Sequence, residues 1–530
     1  MFQPLKVQAG GKAVQRNSFM AQKGINLRDS PQLMGAEFAL SCINYFPTAE
    51  GHLVKREGYE KMFDVESAPS VISDKPVAML EKSTDDIFVF GYATTVAVYE
   101  VSTDTVTSIK TDFSANSGFS GVRYGDYFFV ANGVDKVWRI DMSTLVISEI
   151  AATQAGIVGI TAIGARMFAW KDDSVYYSAI DDGSNPPFDD WTIGTAADEA
   201  GVVNYRRGGN VQDVISFGDR ILVLQEFGKF AFFINTLEAA GVLSRVDVFQ
   251  MSRLDLGGSR GSINTPVGVF YLNEGGLSQL VGLGQPELPM SDQEMDTTVL
   301  LGSEYFEDVG LDNVDLVYDS KRKLVLVTMA KGSAVNNRIL AYNVETRAVS
   351  FIKGWNISRF INVDGTLYGG SALSTSVYKL FTGSSDDDLD IETEFYQEIK
   401  LDTLDIVNKL DFFAIQGLLS DNSLVNISFD IYDKEGRFVK DKARLEWTAQ
   451  HSSNTSDEYG SAEYGISTYG GDLDLTQLVD CFNSYKTWIR SFMRLRVKIT
   501  SNDKLPHSIS WFSVSVTPVR QARFRHLTKK

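Results

Sequence analysis

The side chains that could carry acid–base or metal chemistry are few and scattered. The chain has 530 residues and only four histidines, and none lies four residues from another, the spacing that puts two imidazoles on one helix face. They are His52, His451, His507 and His526. Cys42 and Cys481 lie near opposite ends of the chain with no second ligand beside either, which suits a reducing compartment. The sequence therefore predicts no metal site, no cofactor and no histidine-based mechanism.

Nucleotide-binding motifs are missing as well. The chain contains no Walker loop. Its glycine-rich pieces follow predicted hairpins and do not open helices, so they lack the helix N-terminus on which phosphates bind. We therefore expect no nucleotide site.

Carboxylates are abundant, with 68 Asp and Glu residues, and glycosidases use a pair of them. The stretch from Ser178 through Asp181 and Gly183 to Trp191 is superficially similar to the Asp-box of sialidases. However, its spacing differs, and it occurs once where such boxes repeat. The pattern favours a turn in which Asp181 makes an Asx contact and Trp191 packs against its neighbours.

The acidic run 384–394 admits two interpretations. It could bind Ca²⁺, but it lacks the glycine and the spaced ligand positions of an EF-hand loop. The pattern favours a solvated linker, and we place a domain boundary at residue 384.

These side chains would be positioned by a repeated β-structure. A glycine, often beside an aspartate, is followed by four or five apolar residues, a turn and a second strand, as in Tyr124–Val130 followed by Lys136–Asp141. Stacked sandwiches also give short, even strands, but anchors 40 to 55 residues apart match the period of a propeller blade. We therefore predict an all-β fold with a β-propeller-like domain of about seven blade-like units over 71–383. The anchors are Phe88, Phe128, Phe168, Leu222, Phe270, Val325 and Leu367.

A second all-β domain is predicted over 384–518. Val425–Tyr432, Arg494–Thr500 and Ser508–Val516 alternate with a period of two, as half-buried antiparallel strands do. This pattern predicts an antiparallel, β-sandwich-like domain. The Tyr/Gly-rich stretch 457–471 has too little apolar surface for a core, so we expect an extended loop or a hairpin tip. Its tyrosines are candidates for stacking on host sugars: Tyr459, Tyr464 and Tyr469.

The charge limits the possible partners. With 50 Lys and Arg against 68 Asp and Glu, the net charge is −18, and an acidic protein repels the phosphates that a sequence-reading DNA binder must neutralise. The first residues lack the apolar core of a signal peptide, and no run of 18 apolar residues occurs, so we expect a soluble product made in a cytoplasm. The basic tail 519–530 reverses the charge locally and could dock on an acidic surface or only aid solubility.

The N-terminal segment carries the most specific pattern. Lys23–Pro31 predicts an extended entry segment, and Asn44–Pro47 with Gly51–Tyr59 predicts a strand closed by a turn at residues 57–58. This arrangement resembles the tail hub or nozzle family of short-tailed bacteriophages, whose members are also called packaged-DNA stabilisation proteins. The resemblance covers about residues 20–518 and leaves out the Tyr/Gly-rich loop and the first arm. Further similar segments, in the same order, are 175–191, 215–224, 261–272 and 488–500.

The resemblance implies a non-enzymatic structural protein of the virion. It implies a six-fold ring of identical subunits at the distal end of the tail, below the portal and adaptor, with tail fibres or a needle as further partners. The ring would continue the channel through which genomic DNA leaves, help to retain packaged DNA, and repel the passing phosphates with acidic lumen residues, without sequence-specific binding. The chain would be made in the host cytoplasm and would not insert stably into a membrane.

Candidate contact residues follow from the same resemblance. Residues 1–70 would dock on a neighbour or close the propeller, and the basic tail would dock on the adaptor or a neighbouring subunit. The candidates for the assembly interface are Asn26, Arg28, Lys55, Arg56, Arg520, Arg523 and Arg525.

Two alternatives stay open. A tail-tip receptor-binding protein, often trimeric, could use the Tyr/Gly-rich loop for host contact. A propeller enzyme acting on host glycans would need carboxylates that converge at the centre of the propeller. A scaffold of the WD type would need repeated Trp-Asp dipeptides, and the chain contains none.

Overall fold

The computed structural model is all-β: the residues that it describes form strands, turns and loops but no α-helix. No helix that could span a membrane is found among them. The described residues are 8–9, 12–13, 15–19, 23–27, 38–48, 52–63, 77–84, 87–114, 118–181, 183, 186–194, 198–205, 208–217, 220–234, 246–250, 261–273, 276–280, 309–310, 314–399, 408–420, 423–432, 438–448, 478–492 and 494–518.

The chain divides into two compact units, each built from separate segments. Unit 1 comprises residues 1–59, 342–353 and 381–530, and unit 2 comprises residues 60–341 and 354–380. The domain limits predicted from the sequence, 1–70, 71–383, 384–518 and 519–530, stay predictions.

Short strands occupy the N-terminal part of the chain. They are β1 (Gln8–Ala9), β2 (Lys12–Ala13), β3 (Gln15–Phe19), β4 (Ser41–Ile43), β5 (Tyr45–Pro47), β6 (Leu53–Lys55) and β7 (Tyr59–Phe63).

Unit 2 begins with antiparallel sheets whose four strands follow one another in the sequence: β8–β11, β12–β15, β16–β19 and β20–β23. Their strands are β8 (Val77–Thr84), β9 (Ile87–Tyr92), β10 (Thr95–Glu100), β11 (Thr105–Lys110), β12 (Ser120–Tyr124), β13 (Tyr127–Ala131), β14 (Trp138–Asp141), β15 (Ile147–Glu149), β16 (Gly159–Ile163), β17 (Arg166–Lys171), β18 (Ser174–Tyr177), β19 (Gly201–Asn204), β20 (Val211–Phe217), β21 (Arg220–Gln225), β22 (Gly228–Ile234) and β23 (Val246–Gln250).

Further small sheets follow in unit 2: β24–β26, then β28–β30 with β27 pairing β29, then β32–β34 with β7 as the outermost strand. The strands of these sheets are β24 (Ile263–Thr265), β25 (Gly268–Asn273), β26 (Gly276–Leu280), β27 (Val309–Gly310), β28 (Leu316–Asp319), β29 (Leu324–Lys331), β30 (Arg338–Asn343), β32 (Ile357–Val363), β33 (Thr366–Ser371) and β34 (Val377–Leu380). Strand β31 (Val349–Ile352) belongs to unit 1.

The sheets of unit 2 form a closed ring. The first strand of each sheet contacts the first strand of the next, in the order β8, β12, β16, β20, β24, β28 and β32, and β32 contacts β8 again. This arrangement is propeller-like, as the repeat in the sequence predicts.

The apolar runs of the repeat become the second strands of these sheets. All seven anchor residues lie in β9, β13, β17, β21, β25, β29 or β33, and each is at most 2% exposed. Neighbouring sheets cover both faces, as where Val89 packs with Phe128 and Val130, so both faces need apolar residues and the runs do not alternate.

The glycine and aspartate of the repeat belong to the tight turns between first and second strands. Asp364 and Gly365 join β32 to β33, and both have a positive φ, 50° and 80°. A two-residue turn with two positive φ angles is the type I′ hairpin, which Asp-Gly and Asn-Gly favour. The sequence signal therefore has a direct conformational cause.

Unit 1 contains two larger sheets. The first has the order β31–β4–β35–β40–β37–β38, and the second has the order β39–β36–β41–β6–β5, with β3 also pairing β41. The rings of Phe395 in the first sheet and Phe512 in the second lie 6.3 Å apart between centroids, so the two sheets touch. The remaining strands are β35 (Ile391–Ile399), β36 (Asn408–Ser420), β37 (Leu424–Tyr432), β38 (Phe438–Thr448), β39 (Leu478–Phe492), β40 (Arg494–Asp503) and β41 (His507–Pro518).

Candidate functional site

The first strands of unit 2 surround a cavity with room for about 270 Å³ of solvent. We call it the axial cavity, because every first strand of the ring, or the residues directly before it, contributes to its wall. Among the described residues, four charged side chains line it: Glu81 on β8, Asp213 on β20, Asp315 just before β28, and Arg359 on β32.

Asp213 joins its own strand to the next sheet. One carboxylate oxygen, Oδ2, accepts hydrogen bonds from the backbone N–H of Ser262 at 2.6 Å and from its hydroxyl at 2.8 Å. The other oxygen accepts the backbone N–H of Val214 at 2.8 Å. Hydrogen bonds to a carboxylate are stronger than neutral ones, so Asp213 stabilises the contact between two neighbouring first strands.

Asp315 also connects two neighbouring sheets, further around the ring. Its Oδ2 accepts the backbone N–H of Phe360 on β32 at 2.6 Å. On the opposite part of the ring, the hydroxyl oxygen of Ser120 on β12 accepts the N–H of Ile160 on β16 at 3.1 Å. Polar side chains of first strands therefore bind the backbone of the following first strand.

Glu81 differs from the two aspartates. It lines the axial cavity and keeps some accessible surface there, although protein surrounds it. Within the described part of the chain, its carboxyl group has no hydrogen bond or ion pair. Burial, and then the nearby charge of Asp315, raises the pKa of Glu81 to about 8. Its carboxyl group is therefore largely protonated at neutral pH.

The pKa of Asp315 is also raised. Burial raises it to about 6, against the opposing effects of Arg359 and of backbone N–H groups. Arg359 uses its Nε to donate to the carbonyl of Ala78 at 2.9 Å and one terminal nitrogen to donate to the carbonyl of Ser358 at 3.0 Å. The described wall of the cavity thus combines three carboxyl groups with one guanidinium that is partly engaged by the backbone.

Sequence reasoning did not find Glu81, Asp213, Asp315 or Arg359. These residues come from strands that lie far apart in the sequence, and no local motif marks them. The available signal was an isolated charged residue in or beside some of the first strands, such as Asp213 in Val211–Phe217, and such residues are too common to identify a site.

The predicted interface residues of the N-terminal segment lie inside unit 1. Asn26, Lys55 and Arg56 are 2%, 4% and 3% exposed. The backbone N–H of Asn26 donates to the carbonyl of Ala39 at 2.9 Å. These three residues have contacts within the chain, and their role in assembly stays a prediction.

Asn44 forms the corner between the two sheets of unit 1. It separates β4 from β5 and has a φ of 58°, a left-handed conformation that asparagine tolerates better than most residues. Its Nδ2 donates to the carbonyls of Lys353 at 3.1 Å and Glu392 at 2.7 Å. Its Oδ1 accepts from Arg56 Nε at 2.8 Å and from the backbone N–H of Lys353 at 3.0 Å. The buried side chain is fully bonded.

The guanidinium of Arg56 also has a hydrogen-bond acceptor for every donor. Besides Asn44, its guanidinium donates to the carbonyls of Glu57 at 3.0 Å and Lys353 at 3.2 Å. It also donates to both carboxylate oxygens of Asp386, with 2.7 Å from one terminal nitrogen to Oδ1. All five N–H groups of the guanidinium are therefore used.

Lys55 lies in a second buried polar group. Its Nζ donates to the Oδ1 of Asp503 at 2.5 Å, to the backbone carbonyl of Asp503 at 2.7 Å, and to that of Leu505 at 2.9 Å. Burial lowers the pKa of Lys55, although Asp503 opposes the shift. Burial alone would raise the pKa of Asp503, but the charge of Lys55 and its hydrogen bond hold that pKa below its usual value.

Tyr45 and His507 complete this group. The Tyr45 hydroxyl lies 2.6 Å from His507 Nε2, and both residues are at most 1% exposed. Burial, and then the nearby charge of Lys55, lowers the pKa of His507 to about 3, so its imidazole is neutral in most buffers.

Glycine is required where this N-terminal segment turns past its neighbours. A Cβ atom on Gly58 would lie 1.7 Å from the carbonyl oxygen of Ser385, and one on Gly24 would lie 2.0 Å from that of Val349. Gly24 also has a φ of 70°. The spacing of glycine, asparagine, tyrosine, lysine and arginine in this segment is therefore explained by burial and close backbone packing.

The solvated linker predicted at 384–394 is wrong for Asp386 and for residues 391–394, whereas residues 387–390 are exposed. Asp386 is 6% exposed and ion-paired with Arg56, and residues 391–394 belong to β35. The acidic run is therefore part of the folded unit 1, because a buried arginine requires a carboxylate partner. The favoured interpretation of the Asp-box-like stretch is confirmed: Gly183 N–H donates to Asp181 Oδ1 at 3.0 Å, and Trp191 is 8% exposed.

The other predicted site residues lie outside the described residues. These are Arg28, Arg520, Arg523 and Arg525 of the proposed interface and Tyr459, Tyr464 and Tyr469 of the proposed host-facing loop.

Comparisons with known proteins give no family. No family model matches the chain, and no curated protein matches it. Among solved structures, it is similar to the computationally designed Ika8 protein, with 11% identity, a TM-score of 0.39, and 68% of this chain and 99% of that chain covered.

Two natural proteins are similar at the same level. One is the extracellular domain of a hybrid two-component system from B. thetaiotaomicron, with 11% identity and a TM-score of 0.43 over 61% of this chain and 39% of that chain. The other is a chain of the mitotic checkpoint complex, with 11% identity and a TM-score of 0.43 over 62% and 94%. With TM-scores below 0.5, these similarities define neither a family nor a function for the chain.

Proposed function

We propose that the chain is a structural protein of a bacteriophage virion that forms the distal nozzle, or hub, ring of a short tail. It would continue the DNA ejection channel and help to retain packaged DNA. The supporting observation is that Asn44, Tyr45, Lys55, Arg56 and Gly58, on which the resemblance depends most, belong to the buried contacts of unit 1. Replacing any of these five residues would leave a buried polar group unpaired or create a steric clash. Their pattern in the sequence therefore has a structural cause.

Within this proposal, unit 2 is a seven-bladed β-propeller and unit 1 is a β-sandwich. The ring of contacts between first strands, with β7 beside β34, supports seven blades closed by a strand from the N-terminal side. The contact between Phe395 and Phe512 supports the face-to-face packing of two sheets in a sandwich.

The acidic composition suits a channel for DNA. With a net charge of −18 per chain, a lumen richer in Asp and Glu than in Lys and Arg would repel the phosphates and let DNA pass without being trapped. Low affinity for DNA would then be a functional property. A basic lumen in the assembled ring would contradict this part of the proposal.

The deciding experiment is the mass of the assembly. The purified chain, alone and mixed with the portal–adaptor complex of the same virion, is measured by light scattering and imaged by negative stain. We expect a six-fold ring, alone or on the adaptor. A trimer, or a monomer that ignores the adaptor, would overturn the nozzle proposal and favour a tail-tip receptor-binding protein.

A second candidate is a glycan-acting propeller, because three carboxyl groups converge in the axial cavity and one of them, Glu81, has a raised pKa suited to a general acid. Against it, Asp213 and Asp315 are engaged by backbone N–H groups of neighbouring strands. Incubation with capsular and lipopolysaccharide sugars tests this candidate. Reducing ends released by the native chain but not by Glu81→Gln would establish it, and no release by either protein would exclude it for those sugars.

A further inference from the structure

We infer that the axial cavity of unit 2 binds a linear diammonium ion, with Glu81 as the acceptor of one of its ammonium groups. This inference concerns unit 2 alone and goes beyond the proposed role in the tail. It is independent of whether the chain assembles into a ring.

The first argument is charge. Glu81, Asp213 and Asp315 line one cavity, and Arg359 is the one basic side chain among the described residues that line it. That guanidinium already donates to two backbone carbonyls. Carboxylates that are partly withdrawn from water are stabilised by a counter-charge or a proton, and a bound cation would add to the counter-charge that Arg359 supplies.

The second argument is the unused carboxyl group. Asp213 and Asp315 accept backbone N–H groups, whereas the carboxyl group of Glu81 has no partner within the described part of the chain. Glu81 keeps accessible surface in the cavity, so a ligand there could replace the water at its carboxyl group. An ammonium group provides three donors and a charge, so it could bind both Glu81 and a cavity hydroxyl such as that of Ser120.

The third argument is the size and the wall of the cavity. About 270 Å³ of solvent space exceeds what a single ion needs. The carboxyl groups come from separate positions around the ring, β8, β20 and the residues before β28, so an elongated ion could reach more than one of them. Phe119 and Trp170 also line the cavity and would pack against a methylene chain.

Binding should displace a proton. In the part of the chain that the structure describes, the other charged residues that line the cavity are Asp315 before β28, Asp213 on β20 and Arg359 on β32. The neighbouring β12 contributes Ser120 and Gly121 to the wall, and β9 and β33 contain no acidic or basic residue. Glu81 is largely protonated at neutral pH, as its raised pKa requires. A cation would bind the ionised form and release the proton.

The test is isothermal titration calorimetry of the full chain with 1,4-diaminobutane at pH 6, 7, 8 and 9. We expect the Kd to fall by up to about tenfold per pH unit below pH 8, because one proton is displaced. Titrations at pH 7 in two buffers with different ionisation enthalpies should show release of close to one proton.

Glu81→Gln is the informative variant, and Glu149→Gln, an exposed acid on β15, is the matched control. The first should lose the pH dependence and the proton release and bind at least tenfold more weakly, while the second should behave like the native chain. If Glu81→Gln does not fold, the number of protons that the native chain releases on binding still tests the inference.

Three outcomes would overturn the inference. They are no binding of 1,4-diaminobutane by the folded chain at any pH, equal binding by Glu81→Gln, and binding of Ca²⁺ or of a hexose in the same cavity without binding of the diamine. The hexose result would favour the glycan-acting candidate, and failure of the ring to assemble would leave this test unaffected.

Discussion

Arg56 and Asp386 form a two-pronged ion pair inside unit 1, although 330 residues separate them in the sequence. Their side chains are 0% and 8% exposed. The remaining N–H groups of Arg56 bind Asn44 and two backbone carbonyls. This pair links the N-terminal strands to the start of the C-terminal segment within one unit, and it explains why an arginine that looked like a surface docking residue is buried.

Removing this arginine should strongly destabilise unit 1. Arg56→Met would leave the buried carboxylate of Asp386 without its partner, and we expect the free energy of unfolding to fall by about 3–5 kcal/mol. The measurement is urea denaturation followed by circular dichroism. Lys353→Met is the control, since its side chain pairs with Glu392 at the surface, 56% and 66% exposed, and should cost less than about 1 kcal/mol. Equal losses in both variants would contradict the role of Arg56.

Two substitutions of Asn44 should separate the energetic cost of its left-handed backbone conformation from the cost of losing its hydrogen bonds. Asn44→Gly keeps the left-handed conformation but leaves buried partners of the amide unpaired, so we expect a loss of about 1–3 kcal/mol. Asn44→Ala should lose about 1–2 kcal/mol more, because alanine is strained at a φ of 58°. Denaturant titrations of both variants measure the difference. If alanine is tolerated as well as glycine, the backbone argument fails.

His507 should make unit 1 sensitive to acid. Its pKa is about 3 in the folded chain against an ordinary value of 6.5, so the unfolded chain binds a proton first as the pH falls. Stability is complete above pH 6.5 and is lost toward pH 3, with a slope of up to about 1.4 kcal/mol per pH unit. The free energy of unfolding at pH 4.5–6.5 measures this, and His507→Gln should flatten the slope. An unchanged slope in the variant would assign the acid sensitivity to other groups.

Glu81 should give unit 2 the opposite pH dependence. Its pKa is about 8 when folded against 4.5 ordinarily, so the folded chain holds the proton more tightly. Stability is greatest below pH 4.5 and is lost as the pH rises toward 8, and Asp315, with a pKa of about 6 against 3.8, adds to the loss. Scanning calorimetry at pH 5.5 and 8.5 should show a smaller decrease in Tm for Glu81→Gln than for the native chain. An identical decrease would mean that Glu81 ionises freely.

Part of this structure was predictable from local sequence. The apolar runs around Phe88, Phe128 and Phe168 identify the second strands, because both of their faces are covered and no alternation is needed. The Asp364–Gly365 turn was recognisable for an equally local reason, since only certain residues accept two positive φ angles in succession. Period and turn chemistry depend on neighbours within a few residues, and those neighbours are visible in the sequence.

The sites depended on distant partners. Arg56 was a candidate for the assembly interface because of the family resemblance, and only the fold brings Asp386 to it. Glu81, Asp213 and Asp315 meet in one cavity because the first strands of unit 2 close into a ring, and no local pattern encodes that closure. The sequence alone determined the β-structure, its repeat and its turns. Tertiary structure decided which charges are buried, because burial of a charge is stabilised by partners that only the folded chain brings within hydrogen-bonding distance.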